Sequence, residues 1–133
     1  MRVAIAHWQG RISPVFDEAR DLWVVTVDGG REVGRDRLRL RTRNFLDRVR
    51  ILCEQDIEVL LCGAISFSLE NALEAAGIRV VGFLAGECEP ILVSFLNARR
   101  HAAAPVRFST RRRFPRPEPR PGRARPPTSG RGR

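Results

Sequence analysis

At 133 residues the chain is long enough for one domain with a real core and too short for two comfortable ones. Its formal charge of +9 invites an anionic partner, yet Arg and acidic residues balance at fourteen each over residues 1–104, so the excess lies wholly in residues 105–133. Three Cys are an odd number and make no disulfide framework, and no apolar run reaches the about 18 residues of a membrane span. Val3-Ala4-Ile5-Ala6 then reads as a central strand covered on both faces. Leu22 to Val27, Asp28-Gly29-Gly30 and Arg31 to Leu40 read as a β-hairpin with a glycine turn. Its second arm alternates, with Val33, Leu38 and Leu40 among charged residues.

Asn44 caps a helix running to about Gln55, with Phe45, Val49, Leu52 and Cys53 on one apolar face. Ile57 to Cys62 is a second buried strand. Ser66 caps a helix with a stripe of Leu69, Ala72, Leu73 and Ala76, and Gly77 stops it. Ile78 to Leu84 is a third apolar strand. Pro90, in a first-turn position, opens a last helix carrying Ile91, Leu92, Phe95 and Leu96. The order β-β-β-α-β-α-β-α, with right-handed crossovers, predicts an α/β domain: a mixed five-stranded sheet with flanking helices. From Pro105 the composition turns to Arg and Pro, which predicts a domain over 1–104 and a disordered tail over 105–133.

Three strand ends converge on one edge: His7-Trp8 leading into Gly10–Asp17, then Cys62-Gly63, then Ala85 to Cys88. In open α/β sheets ligands bind at that edge. Two helix N-termini and Arg11 favour an anion there. Cys53 reads as a small core residue. Cys62, at a strand end, is the leading thiolate candidate; Cys88, ahead of a helix, and His7 are its possible partners. Asp17 reads as a cap or turn residue. Catalytic parts are missing: the first strand offers no carboxylate for metal-dependent hydrolysis, and no phosphate loop or dinucleotide fingerprint occurs.

The segments Gly10-Arg11-Ile12-Ser13-Pro14-Val15-Phe16-Asp17-Glu18-Ala19 and Leu61-Cys62-Gly63-Ala64-Ile65-Ser66, at this spacing after Met1-Arg2-Val3-Ala4-Ile5-Ala6, resemble the dinitrogenase iron–molybdenum cofactor biosynthesis family. Its members include the NifX, NafY and NifB C-terminal type of cofactor-binding domain. The resemblance covers roughly residues 1–100. It implies a ribonuclease-H-like sheet and a non-catalytic protein of nitrogen-fixation type, while the three cysteines without a disulfide framework point to reduced thiols and a cytoplasmic setting. Such a domain binds or carries an iron–molybdenum cofactor or iron–sulfur precursor, with a cofactor-assembly protein as a partner. An anionic cluster with thiolate or imidazole ligands makes Arg11, Ser13, Cys62, Gly63 and Cys88 the cofactor-binding candidates, and Cys62, Cys88 and His7 the metal ligands. Characterised carriers often have His-Phe-Gly where this chain has Val15-Phe16-Asp17. Two alternatives stand beside this reading: a cluster-free regulatory or protein-interaction module of the same fold, and nucleic-acid binding through the Arg-rich tail.

Overall fold

The computed structural model describes residues 1–101, so the expected boundary at 104/105 and the expected disordered tail lie outside the described residues. The central strand β1 (Arg2–Trp8) has Val3, Ala4, Ile5 and Ala6 fully buried, as an unbroken apolar run covered on both faces requires. It pairs antiparallel with β3 (Asp21–Asp28) and parallel with β5 (Val59–Leu61). Beyond β3 lies antiparallel β4 (Arg31–Arg39), and beyond β5 lies parallel β6 (Arg79–Val81). The order across the sheet is β4-β3-β1-β5-β6.

The sheet has six strands, not the five expected. The additional strand, β2 (Arg11–Ile12), folds back antiparallel on the end of β1 and pairs Ile12 with His7 and Arg11 with Trp8. Since His7 also pairs with Asp21 of β3, β2 occupies the opposite side of β1, in line with β5. Gln9 and Gly10 have φ of 53° and 82°, the geometry of a two-residue type I′ turn. Gln is an unusual first residue for that turn, and a two-residue strand leaves no alternation to read. In the β3–β4 hairpin the predicted glycine turn is present, with Gly29 and Gly30 at φ 62° and 79°. A register shift beside Thr26 pairs it with Gly34 and pairs Val27 with Glu32, so Val33 is left over and 62% exposed instead of facing inward.

Alternate strand residues build two cores. Ala4, Ala6, Leu22, Val24, Leu60 and Val80 face α1 (Phe45–Glu54) and α2 (Phe67–Ala75). Val3, Ile5, Val25, Val27, Leu61 and Val81 face α3 (Cys88–His101). The caps are those predicted: Asn44 Oδ1 accepts from Asp47 N–H at 3.1 Å, and Ser66 Oγ accepts from Leu69 N–H at 3.3 Å. The buried face of α1 differs from the expected one. Arg48 and Leu52 are buried, whereas Phe45 and Cys53 are exposed. Cys53 is therefore not a core residue. No helix among the described residues is long and apolar enough to cross a membrane.

Candidate functional site

The three loops that follow β1, β5 and β6 are joined backbone to backbone. Ile12 N–H donates to Gly86 O at 2.8 Å, and Cys88 N–H donates to Gly10 O at 2.9 Å. Ala64 N–H donates to Pro14 O at 2.8 Å, and Phe16 N–H returns to Ala64 O at 2.7 Å. Phe83 N–H donates to Gly63 O at 2.8 Å, which holds Phe83 at a φ of 60°. The edge predicted from the strand order is thus one continuous hydrogen-bonded surface.

Gly63 has a steric reason to be glycine. A Cβ there would stand 2.5 Å from Ser13 O and 2.7 Å from Pro14 O. Ser13 is buried at this contact, where its N–H donates to Ala6 O. Arg11 reaches across to Glu87 on the third loop at 3.9 Å, both side chains lying in solvent. Ion pairs this exposed contribute little energy, so Arg11 keeps its capacity to meet an incoming anion.

The candidate ligands divide between the two faces. Cys62 is fully buried in the core beneath α1 and α2. Burial, reinforced by the charges of Glu70 and Asp17, pushes its thiol far above the ordinary range. Cys88 is fully buried on the α3 side, and burial with Glu89 raises its pKa to about 11 while Arg35 opposes the shift. Both are thiols at neutral pH, and the thiol form is a poor metal ligand. His7 shares the face of Cys88. Its ring stacks on Trp23 with centroids 4.2 Å apart, and neither buried ring nitrogen has a hydrogen-bond partner. Burial lowers its pKa below 6.5, with Asp21 opposing and Arg37 assisting. A neutral imidazole with idle nitrogens is chemically ready to ligate. Among the described residues, no three His, Cys, Asp or Glu side chains gather where a metal ion could be held.

Asp17 Oδ1 accepts from Ser66 N–H at 2.8 Å, which sets a carboxylate against the N-terminus of α2. Behind it lies a residue that the sequence analysis passed over. Arg48 is 1% exposed, donates from Nη1 to Phe16 O at 3.0 Å, and holds its guanidinium 5.6 Å from the centre of the Phe16 ring. Burial lowers its pKa, Asp17 and Glu18 oppose that, and Arg43 adds to it. No local pattern marks it, because helical periodicity counts an arginine at this position as polar.

A family model described as dinitrogenase iron-molybdenum cofactor matches residues 1–98. The crystal structure of PH0822 superposes with a TM-score of 0.69 at 19% identity, over 74% of this chain and 90% of that one. A crystal structure from Methanocaldococcus jannaschii, of a protein assigned as a dinitrogenase, gives 0.61 at 14% identity, over 74% and 89%. The apo form of the orange protein from Desulfovibrio gigas gives 0.61 at 24% identity, over 80% and 96%. These likenesses show a shared fold. A search of curated proteins finds no match.

Proposed function

Because the chain belongs to the dinitrogenase iron-molybdenum cofactor family, we propose that it binds and hands on an iron–molybdenum cofactor or iron–sulfur precursor as cargo, without catalysis of its own. The observation that carries this reading is the edge where three strand-end loops are hydrogen-bonded into one surface within the family-matched region. Arg11, Ser13 and Gly63 form the docking edge. His7 and Cys88 are the ligands offered from the α3 face, and Cys62 the one from the other face.

The donor set suits a passing cargo better than a resident group. The thiols of Cys62 and Cys88 are sealed and protonated, so ligation is coupled to opening of the loops and loss of a proton. His7 alone is already in its ligating form. The strand order supports grouping the sheet with ribonuclease-H-like folds. Three unpaired cysteines support a reducing, cytoplasmic setting, with a cofactor-assembly protein as the partner that gives or receives the cargo.

Anaerobic reconstitution with iron and sulfide, or with cofactor extract, tests the reading through metal analysis and visible absorption. Uptake by the full chain, reduced in Cys88→Ala, Cys62→Ala and His7→Phe, supports it. Unchanged uptake in all three variants removes the residue assignment, and no uptake by the parent chain removes the function. A cluster-free interaction module is favoured by one observation, the Asp17 carboxylate already standing at the α2 N-terminus. That reading predicts metal-free protein from anaerobic preparations and a reproducible protein partner in pull-downs.

A further inference from the structure

A cavity of about 340 Å³ opens at the same end of the sheet, on the β3–β4 side, lined by Arg20, Arg39, Arg41, Thr42, Arg43 and Arg48. Register places it there: Arg39 pairs with Asp21, and Asp21 pairs with His7 at the end of β1. Over residues 1–104 charge is balanced, yet five arginines meet in this one cavity and no Asp or Glu lines it. Arg39 is paired, with Asp21 at 3.3 Å. Among the described residues Arg20, Arg41, Arg43 and Arg48 have no carboxylate within ion-pair distance.

Local structure aims these charges together. Leu40 is buried in the core, and its N–H donates to Arg20 O at 2.7 Å, which holds the start of β3 against the end of β4. Burial then alternates, so Arg39, Arg41 and Arg43 are exposed on either side of Leu40 and Thr42. Thr42 Oγ1 accepts from Asn44 N–H at 3.1 Å and fixes the loop as it enters α1. At the floor lies Arg48, with one hydrogen bond to Phe16 O and a buried Nε that has no partner. A buried cation that touches no carboxylate is unfavourable; Arg43 makes it more so, and Asp17 and Glu18 oppose this without forming an ion pair. An anion relieves both terms.

We propose that this cavity binds a small multivalent oxyanion of the phosphate type, held by Arg41, Arg43 and Arg48. Arginine presents paired N–H donors that match two oxygens of one phosphate, and the cavity has the size of a small-ligand site. The shared chemistry is the phosphate group, whether free as pyrophosphate or borne by an organic molecule. This inference does not rest on the cargo reading and survives its failure.

The test is calorimetric titration of the full chain with pyrophosphate and, separately, with adenosine triphosphate, at fixed physiological ionic strength. Arg41→Ala/Arg43→Ala removes two exposed charges and leaves buried Arg48 in place, so folding is not at issue. Arg31→Ala/Arg37→Ala removes the same charge from β4, outside the cavity lining. We expect affinity for at least one probe to fall about tenfold or more in the first pair and to hold in the second. Preference for pyrophosphate identifies a free anion, and preference for the triphosphate an organic one. Equal loss in both pairs, no binding of either probe, or binding only of a single-stranded oligonucleotide overturns the proposal.

Discussion

The carboxylate of Asp17 accepts the backbone N–H of Ser66 across 49 residues of chain, and so fastens the first strand-end loop to the start of α2. Ser66 caps α2 with its own hydroxyl, so the two side chains serve one helix terminus from opposite directions. Asp17→Ala removes an acceptor from a backbone donor and a negative charge from the positive end of the helix. We expect a loss of about 1 kcal/mol, read as a lower urea midpoint. Asp17→Asn keeps an oxygen acceptor and is expected to lose less. If both variants lose equally, charge and not the hydrogen bond is what Asp17 supplies.

Gly63 gives a steric prediction. Adding a methyl group at 2.5 Å and 2.7 Å from two backbone oxygens forces the 13–14 loop away from the β5 end, because neither oxygen can rotate aside. Gly63→Ala is expected to lower stability by about 1–3 kcal/mol, a fall of about 4–8 °C in Tm for each kcal/mol in a domain of this size. Gly34 is the control: its Cβ would meet only Thr26 Cβ at 4.0 Å, so Gly34→Ala is expected to be neutral or mildly stabilising. Thermal unfolding followed by circular dichroism separates the two variants.

The long elements and the convergence of strand ends were legible because continuous apolar runs and helix caps are local signals. Three features were not. The β2 strand is two residues long and follows an atypical Gln9-Gly10 turn. The buried face of α1 runs through Arg48 because a tertiary hydrogen bond to Phe16 O draws that side chain inward, while periodicity counts it as polar. Cys62 and Cys88 meet the same edge from opposite faces. Parity with Leu60 places Cys62, but the side taken by α3 depends on packing that no local pattern carries.

The division of the thiols predicts their reactivity. At neutral pH Cys53 is exposed, whereas Cys62 and Cys88 are buried and protonated. An aromatic disulfide reagent is expected to titrate one thiol rapidly in the native chain and three in denaturant. The raised pKa values also fix the sign of the alkaline response. Between the ordinary thiol value of 9.0 and about 11 for Cys88, the folded chain retains a proton that the unfolded chain releases. The Cys88 contribution to stability is therefore complete below pH 9 and is lost as pH rises through that window. Cys88→Ala is expected to flatten part of the fall, and a decline of unchanged steepness would place its cause elsewhere.

His7 yields the opposite sign on the acid side. Its folded pKa lies below 6.5, so under acid conditions the unfolded chain takes up a proton that the buried ring refuses. Its contribution is present above pH 6.5 and is lost as pH falls. His7→Phe keeps an aromatic partner for Trp23 and removes two buried nitrogens that have no hydrogen-bond partner. At neutral pH this is expected to raise stability by about 1 kcal/mol. The advantage is expected to widen on acidification, because only the parent chain carries the proton linkage. Urea midpoints measured above and below pH 6.5 check this, and parallel curves for the two chains would show that His7 is not the titrating group. If the same variant gains stability yet loses iron in anaerobic reconstitution, the idle nitrogens are retained for a ligand and not for the fold.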